Sequence, residues 1–117
     1  MVGLERVPDE PTLLVGNHDG GYIPVDGICL GYAWHTRFDY TRPLAVLMHD
    51  FPFRISATLT EYLSRCGCRP ASRKQLDRAF ANKESLLVYP GGASEAFRPY
   101  VKRRRINLGH RTGFIAA

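Results

Sequence analysis

Three short apolar runs mark out this chain: Thr12 to Gly16 (TLLVG), Leu44 to Met48 (LAVLM) and Leu86 to Tyr89 (LLVY). Each is too short for a helix and lacks polar alternation, which is how strands buried on both faces read. Helical patterns lie between them. From Pro24 to about His35, Val25, Ile28, Cys29 and Tyr32 recur at i, i+3, i+4 and i+7, predicting one apolar face, with Pro24 suited to the first turn. Pro52 to about Arg65 predicts a second helix, its inner face carrying Ile55, Leu59, Tyr62 and Leu63 and its stop at Gly67. Cys68 to Ala71 adds a brief strand. Ser72 is a good N-cap for a third helix reaching Asn82. A glycine-rich loop, Pro90 to Ser94, follows the last run; Glu95 to Arg111 is polar and basic, and Thr112 begins a last helix.

Strands and helices alternating at this spacing predict an α/β fold, a mainly parallel sheet with flanking helices in a single partial domain. The chain of 117 residues holds one such domain, with no internal repeat or linker. Its start almost directly on a strand, and its finish at Gly113-Phe114-Ile115-Ala116-Ala117 with no cap, read as a domain incomplete at the C-terminus.

Net charge refines the picture. At +5 the chain favours acidic partners: phosphorylated substrates, anionic lipid or nucleic acid. Nucleic acid is the weaker reading, because the basic run Lys102 to Arg105 lacks interleaved aromatics and no recognition-helix pattern is present. No apolar run approaches the roughly 18 residues of a membrane-spanning helix. The polar start, Met1 to Glu10, is no secretory leader. Cys29, Cys66 and Cys68 are odd in number, and Cys66-Gly-Cys68 lacks zinc-knuckle spacing, so reduced thiols in a cytoplasmic protein, with no bound metal, are expected.

Candidate chemistry sits at the ends of the strands. After Gly16 come Asn17, His18 and Asp19 in a Gly20-Gly21 loop, and the next helix carries Asp26 in its first turn. A histidine moves protons near neutral pH, and a carboxylate fixes its tautomer. The spacing makes His18 a general base with Asp26 as its partner and Asp19 as the rival for that place. After the last strand, Gly91 and Gly92 expose backbone N–H groups able to hold a phosphate or an oxyanion. The loop is neither a P-loop nor a dinucleotide fingerprint. Arg73, where the third helix begins, is placed to grip a phosphate bidentately.

These residues together resemble the glycerolipid acyltransferases of the lysophosphatidic-acid acyltransferase superfamily, and within it the diacylglycerol-acyltransferase-like branch. NHDGGYIPVD (Asn17 to Asp26) resembles the family's His/Asp motif with seven residues between the pair rather than the usual four. GCRPASR (Gly67 to Arg73) resembles its glycine–arginine motif. YPGGASEAFR (Tyr89 to Arg98) resembles its Phe-Pro-Glu-Gly-Thr motif in a form where Gly91 replaces the glutamate. GHRTGF (Gly109 to Phe114) resembles the segment that follows, and a fourth, proline-containing strand motif is absent. The resemblance implies an acyl-CoA co-substrate and no other cofactor. It implies a glycerolipid or lysophospholipid acceptor and a cytoplasmic protein touching an anionic membrane peripherally. It implies His18 and Asp26 as the catalytic pair, Arg73 or Arg98 for a phosphate of acceptor or CoA, and Glu95 as a substitute for the missing glutamate in holding the acceptor.

Two other readings compete. GNHD (Gly16 to Asp19) also resembles the calcineurin-like metallophosphoesterases, yet no histidine precedes Gly16, and Gly109-His110-Arg111-Thr112 lacks the second histidine that two-metal chemistry needs. The third reading is a non-catalytic module binding anionic lipid.

Overall fold

A computed structural model describes residues 3–18, 23–102, 104–108 and 110–115. Four parallel strands form one sheet: β1 (Leu13–Val15), β2 (Leu44–Met48), β3 (Cys68–Pro70) and β4 (Ser85–Val88), in the order β1-β4-β2-β3. The register sets Leu14 against Leu87 and Val46 against both Leu87 and Cys68. Helices α1 (Val25–Phe38), α2 (Ala57–Arg65) and α3 (Arg73–Ala81) make the connections, and a short α4 (Gly92–Ala96) follows β4. The α/β expectation holds.

Side chains alternate across the sheet with the period of two that strands impose. Ala45, Leu47, Leu86 and Val88 pack on one face with Leu76 and Ala79 of α3. Leu44 and Leu87 pack on the other with Trp34 of α1, and Val46 and Tyr89 join them. Both faces are covered, which is why these runs carry no polar alternation. Trp34 is fully buried, its indole N–H donates to the Arg42 carbonyl at 2.9 Å, and the Arg42 guanidinium lies 5.0 Å from its ring centroid.

Caps behave as expected where the residues are unambiguous. The Ser72 hydroxyl accepts from the Gln75 N–H and starts α3. Gly67 takes φ +81° after α2, the left-handed conformation a helix stop requires, and any Cβ there would run into the Leu44 carbonyl oxygen.

Four expectations need correction. The predicted helix from Pro52 is broken: Phe51–Arg54 is a 3-10 turn, and Ser56 in extended backbone caps a separate α2 through the Leu59 N–H at 3.1 Å. Leu59 and Leu63 are half-buried, but Ile55 and Tyr62 are exposed. In α1 the predicted apolar face points outward: Val25, Ile28, Cys29 and Tyr32 are exposed, while Leu30, Trp34 and Phe38 pack on the sheet. The helix is apolar on both sides, and the row containing the tryptophan buries the larger area. The Pro90–Ser94 loop is partly helical, since α4 starts at Gly92; and the described residues after Thr112 form a turn rather than a helix.

Candidate active site

All four strands run parallel, so the loops after β1, β3 and β4 lie along one carboxyl edge of the sheet, where open α/β sheets hold their ligands. The loop after β1 carries Asn17 and His18. Asp26 is in the first turn of α1, where the partial positive charge of the helix start favours a carboxylate. One Asp26 oxygen accepts the Gly27 N–H at 2.8 Å and the other lies 2.9 Å from His18 Nδ1. That contact puts the ring proton on Nδ1 and leaves Nε2 with the lone pair, the tautomer of a base. The His18 and Asp26 side chains are 17% and 15% exposed, shielded enough for the contact to persist yet open to a substrate. Asp19, the rival partner, lies outside the described residues, as do Gly20 and Gly21.

Tyr89 was not singled out from the sequence as a site residue. Its ring stacks on the His18 imidazole with centroids 4.1 Å apart and 12° between the planes. The stack needs Gly16, where a Cβ would meet the Tyr89 ring at 2.5 Å; one on Gly27 would only make ordinary contact with its hydroxyl at 3.7 Å. A signal was present in the pattern, because Tyr89 is in phase with Leu87 and so points to the α1 face.

Glu95 and Arg98 are turned inward, onto the loop that carries His18. Glu95 is 0% exposed. Its carboxylate accepts the His18 backbone N–H at 3.2 Å and the Asn107 backbone N–H at 3.1 Å, and it pairs with Arg98 at 3.4 Å. The Asn17 amide, oriented with its nitrogen toward the carboxylate, donates to both oxygens, one of them at 2.8 Å. The Arg98 side chain is 9% exposed and donates to the His18 carbonyl at 2.6 Å and the Arg105 carbonyl at 2.9 Å. The Glu95 carboxylate lies over Gly91, where a Cβ would meet it at 2.5 Å.

The glycine loop is likewise tied inward. Gly92 takes φ +50° and its N–H donates to the Tyr89 carbonyl at 3.0 Å, so that donor is spent on the turn rather than offered to an oxyanion. Arg111 caps the loop, donating to the Pro90 and Gly91 carbonyls at 3.0 and 2.8 Å.

Arg73 stands apart. It opens α3 on the exposed surface, with Nε 3.1 Å from Asp77, beyond strand β3. That strand is three places from β1, about 14 Å across the sheet. Of the other basic residues, Arg69 pairs with Glu84 at 2.7 Å, Lys102, Arg104 and Arg105 are exposed, and Arg103 is outside the described residues.

The cysteines are free thiols, with Cys29 and Cys66 exposed. Burial, reinforced by neighbouring Cys66, pushes the Cys68 thiol up from its ordinary range. Among the described residues no group of three His, Cys, Asp or Glu side chains is placed to hold a metal ion, and no helix is long and apolar enough to cross a membrane.

The chain is 30% identical over 116 residues to uncharacterized proteins of Mycobacterium bovis and Mycobacterium tuberculosis, an alignment covering 98% of this chain and 32% of each relative. It therefore spans about a third of the length of those relatives. No solved structure gives a significant match. The family model described as Acyltransferase matches residues 1–117, and the chain belongs to the acyltransferase family.

Proposed function

We propose that this chain carries the general-base centre of an acyl-CoA-dependent O-acyltransferase whose acceptor is a hydroxyl of a glycerolipid or lysophospholipid. The observation that carries the reading is the 2.9 Å contact between His18 Nδ1 and Asp26 at the carboxyl edge of a parallel sheet, in a chain of the acyltransferase family. His18 Nε2 takes the proton of the acceptor hydroxyl as its oxygen attacks the thioester carbonyl. The tetrahedral intermediate then expels the CoA thiolate, which recovers that proton from the imidazolium. An ester and a free thiol result, and no acyl-enzyme is needed. Asp26 holds the imidazole in its working tautomer and stabilises the cation that forms.

Acceptor choice follows from the motifs. The seven-residue His–Asp spacing and the Pro90-Gly91-Gly92 loop favour the diacylglycerol-acyltransferase-like branch. Arg73, exposed on the same sheet edge, suits a phosphate of acceptor or CoA, and the basic residues 102–105 suit peripheral contact with anionic lipid.

The test is acyl transfer by the full-length protein from long-chain acyl-CoA to a panel of monoacylglycerol, diacylglycerol and lysophosphatidate, beside His18→Ala. Loss of about 10²-fold or more is expected from removing a general base. Near-normal transfer by the alanine variant would overturn the reading.

A further inference from the structure

Glu95 is a carboxylate with no exposed surface, one turn after a Gly-Gly pair, in a chain whose other carboxylates lie mostly at the surface. Burying such a group costs several kcal/mol unless it is paired and hydrogen-bonded. Its partners are the Asn17 amide, the His18 N–H, the Asn107 N–H and the Arg98 guanidinium. Two of them belong to the His18 loop, 77 residues earlier in the chain. Arg98, paired with Glu95, returns to that loop and takes the His18 carbonyl at 2.6 Å. The peptide groups on either side of the His18 Cα are therefore gripped from α4 and from two residues beyond its end, the N–H by Glu95 and the carbonyl by Arg98.

We infer that Glu95 is a positioning residue for His18: with Arg98 it clamps the histidine backbone so that the imidazole meets Asp26 on one side and lies flat on Tyr89 on the other. This rests on His18 being the base, and it gives Glu95 a role distinct from holding the acceptor. The ring contacts alone do not locate the base, since Asp26 and Tyr89 constrain the imidazole plane while the clamp places the Cα that carries it. Reacting groups must be held to fractions of an ångström, and a 1 Å misplacement can cost about 10²-fold. The geometry also accounts for Gly91. Its backbone is right-handed helical, φ −65° and ψ −26°, which any residue adopts, so the space taken by the Glu95 carboxylate is what demands glycine there.

The experiment uses the full-length protein with Glu95→Gln, which keeps the shape but turns an amide nitrogen toward the Asn17, His18 and Asn107 donors. The expected result is a kcat reduced about ten- to a hundredfold, with KM for acyl-CoA and acceptor within about twofold. In a His18→Ala background the same change adds less than about a twofold further loss, because it acts through the missing ring. Histidine ¹⁵N spectra, with the His18 signals identified by their absence in His18→Ala, show Nδ1 shifted in Glu95→Gln. Arg98→Lys, which keeps the charge but loses the fork, moves the same signals and answers the question if Glu95→Gln does not fold. A tenfold rise in KM with kcat intact, a loss that persists in full on the His18→Ala background, or unshifted His18 signals in both variants would overturn the clamp. Failure of the wild-type protein to transfer acyl groups would sink the proposed reaction, while the spectra would still decide the clamp.

Discussion

The carboxyl edge of the sheet has two unlike halves. On the β1–β4 side an arginine–carboxylate pair, Arg98–Glu95, is sealed inside and touches the backbone of His18. On the β3 side another pair, Arg73–Asp77, lies on the surface at helical i,i+4 spacing with both side chains about 60% exposed. The residue types are the same. Burial separates them: the inner pair is desolvated and held by several hydrogen bonds, so it acts as framework, whereas the outer pair is exposed to solvent, where an ion pair contributes little.

The sharpest way to break this comparison is to remove one partner on each side. Arg98→Met leaves Glu95 as a buried unpaired charge and should cost about 3–5 kcal/mol in urea unfolding. A cost below about 1 kcal/mol would mean that the inner pair is no framework. Next in size, Asp26→Asn should lower kcat about 10²-fold while the folding midpoint barely moves, since it alters the tautomer of His18 and leaves the clamp in place. On the open side, Arg73→Ala should change stability by less than about 0.5 kcal/mol. Its effect should fall on KM for a phosphate-bearing acceptor, and equal KM changes for neutral and phosphorylated acceptors would detach Arg73 from phosphate binding. The smallest effect concerns the β3 side itself. Because burial raises the Cys68 thiol, less of it is thiolate at about pH 8, and iodoacetamide should label Cys66 and Cys29 first, with Cys68 catching up only as pH rises. Mass spectrometry of timed aliquots checks the order.

Much of the open half and of the sheet was legible from the residues alone. Strands closed by glycine, the Ser72 cap and the Gly67 stop each rest on local chemistry that nothing distant overrides. The His18–Asp26 pair was readable because a strand end and a helix start bring two positions eight apart together. The framework half was not. Glu95 looked like a ligand-holding group because the family resemblance made it a substitute for the glutamate that Gly91 replaces, and only the packing of residues 77 positions apart shows its carboxylate turned inward. The α1 face failed for another reason: apolar residues on both sides of a helix leave periodicity without a preferred direction, and the sheet took the side bearing Trp34.

The strand order has a consequence in time. β4 lies between β1 and β2, yet it is made last, pairing Leu13 with Leu86. As a ribosome delivers the chain, β1 and α1 emerge early, but the strand that joins them to β2, the tyrosine under the imidazole and the clamp all arrive more than 70 residues later. Closing so long a loop is slow. A nascent or truncated chain ending before Arg98 would carry His18 and Asp26 without the parts that align them, so the alignment of the pair waits for residues on the far side of β4.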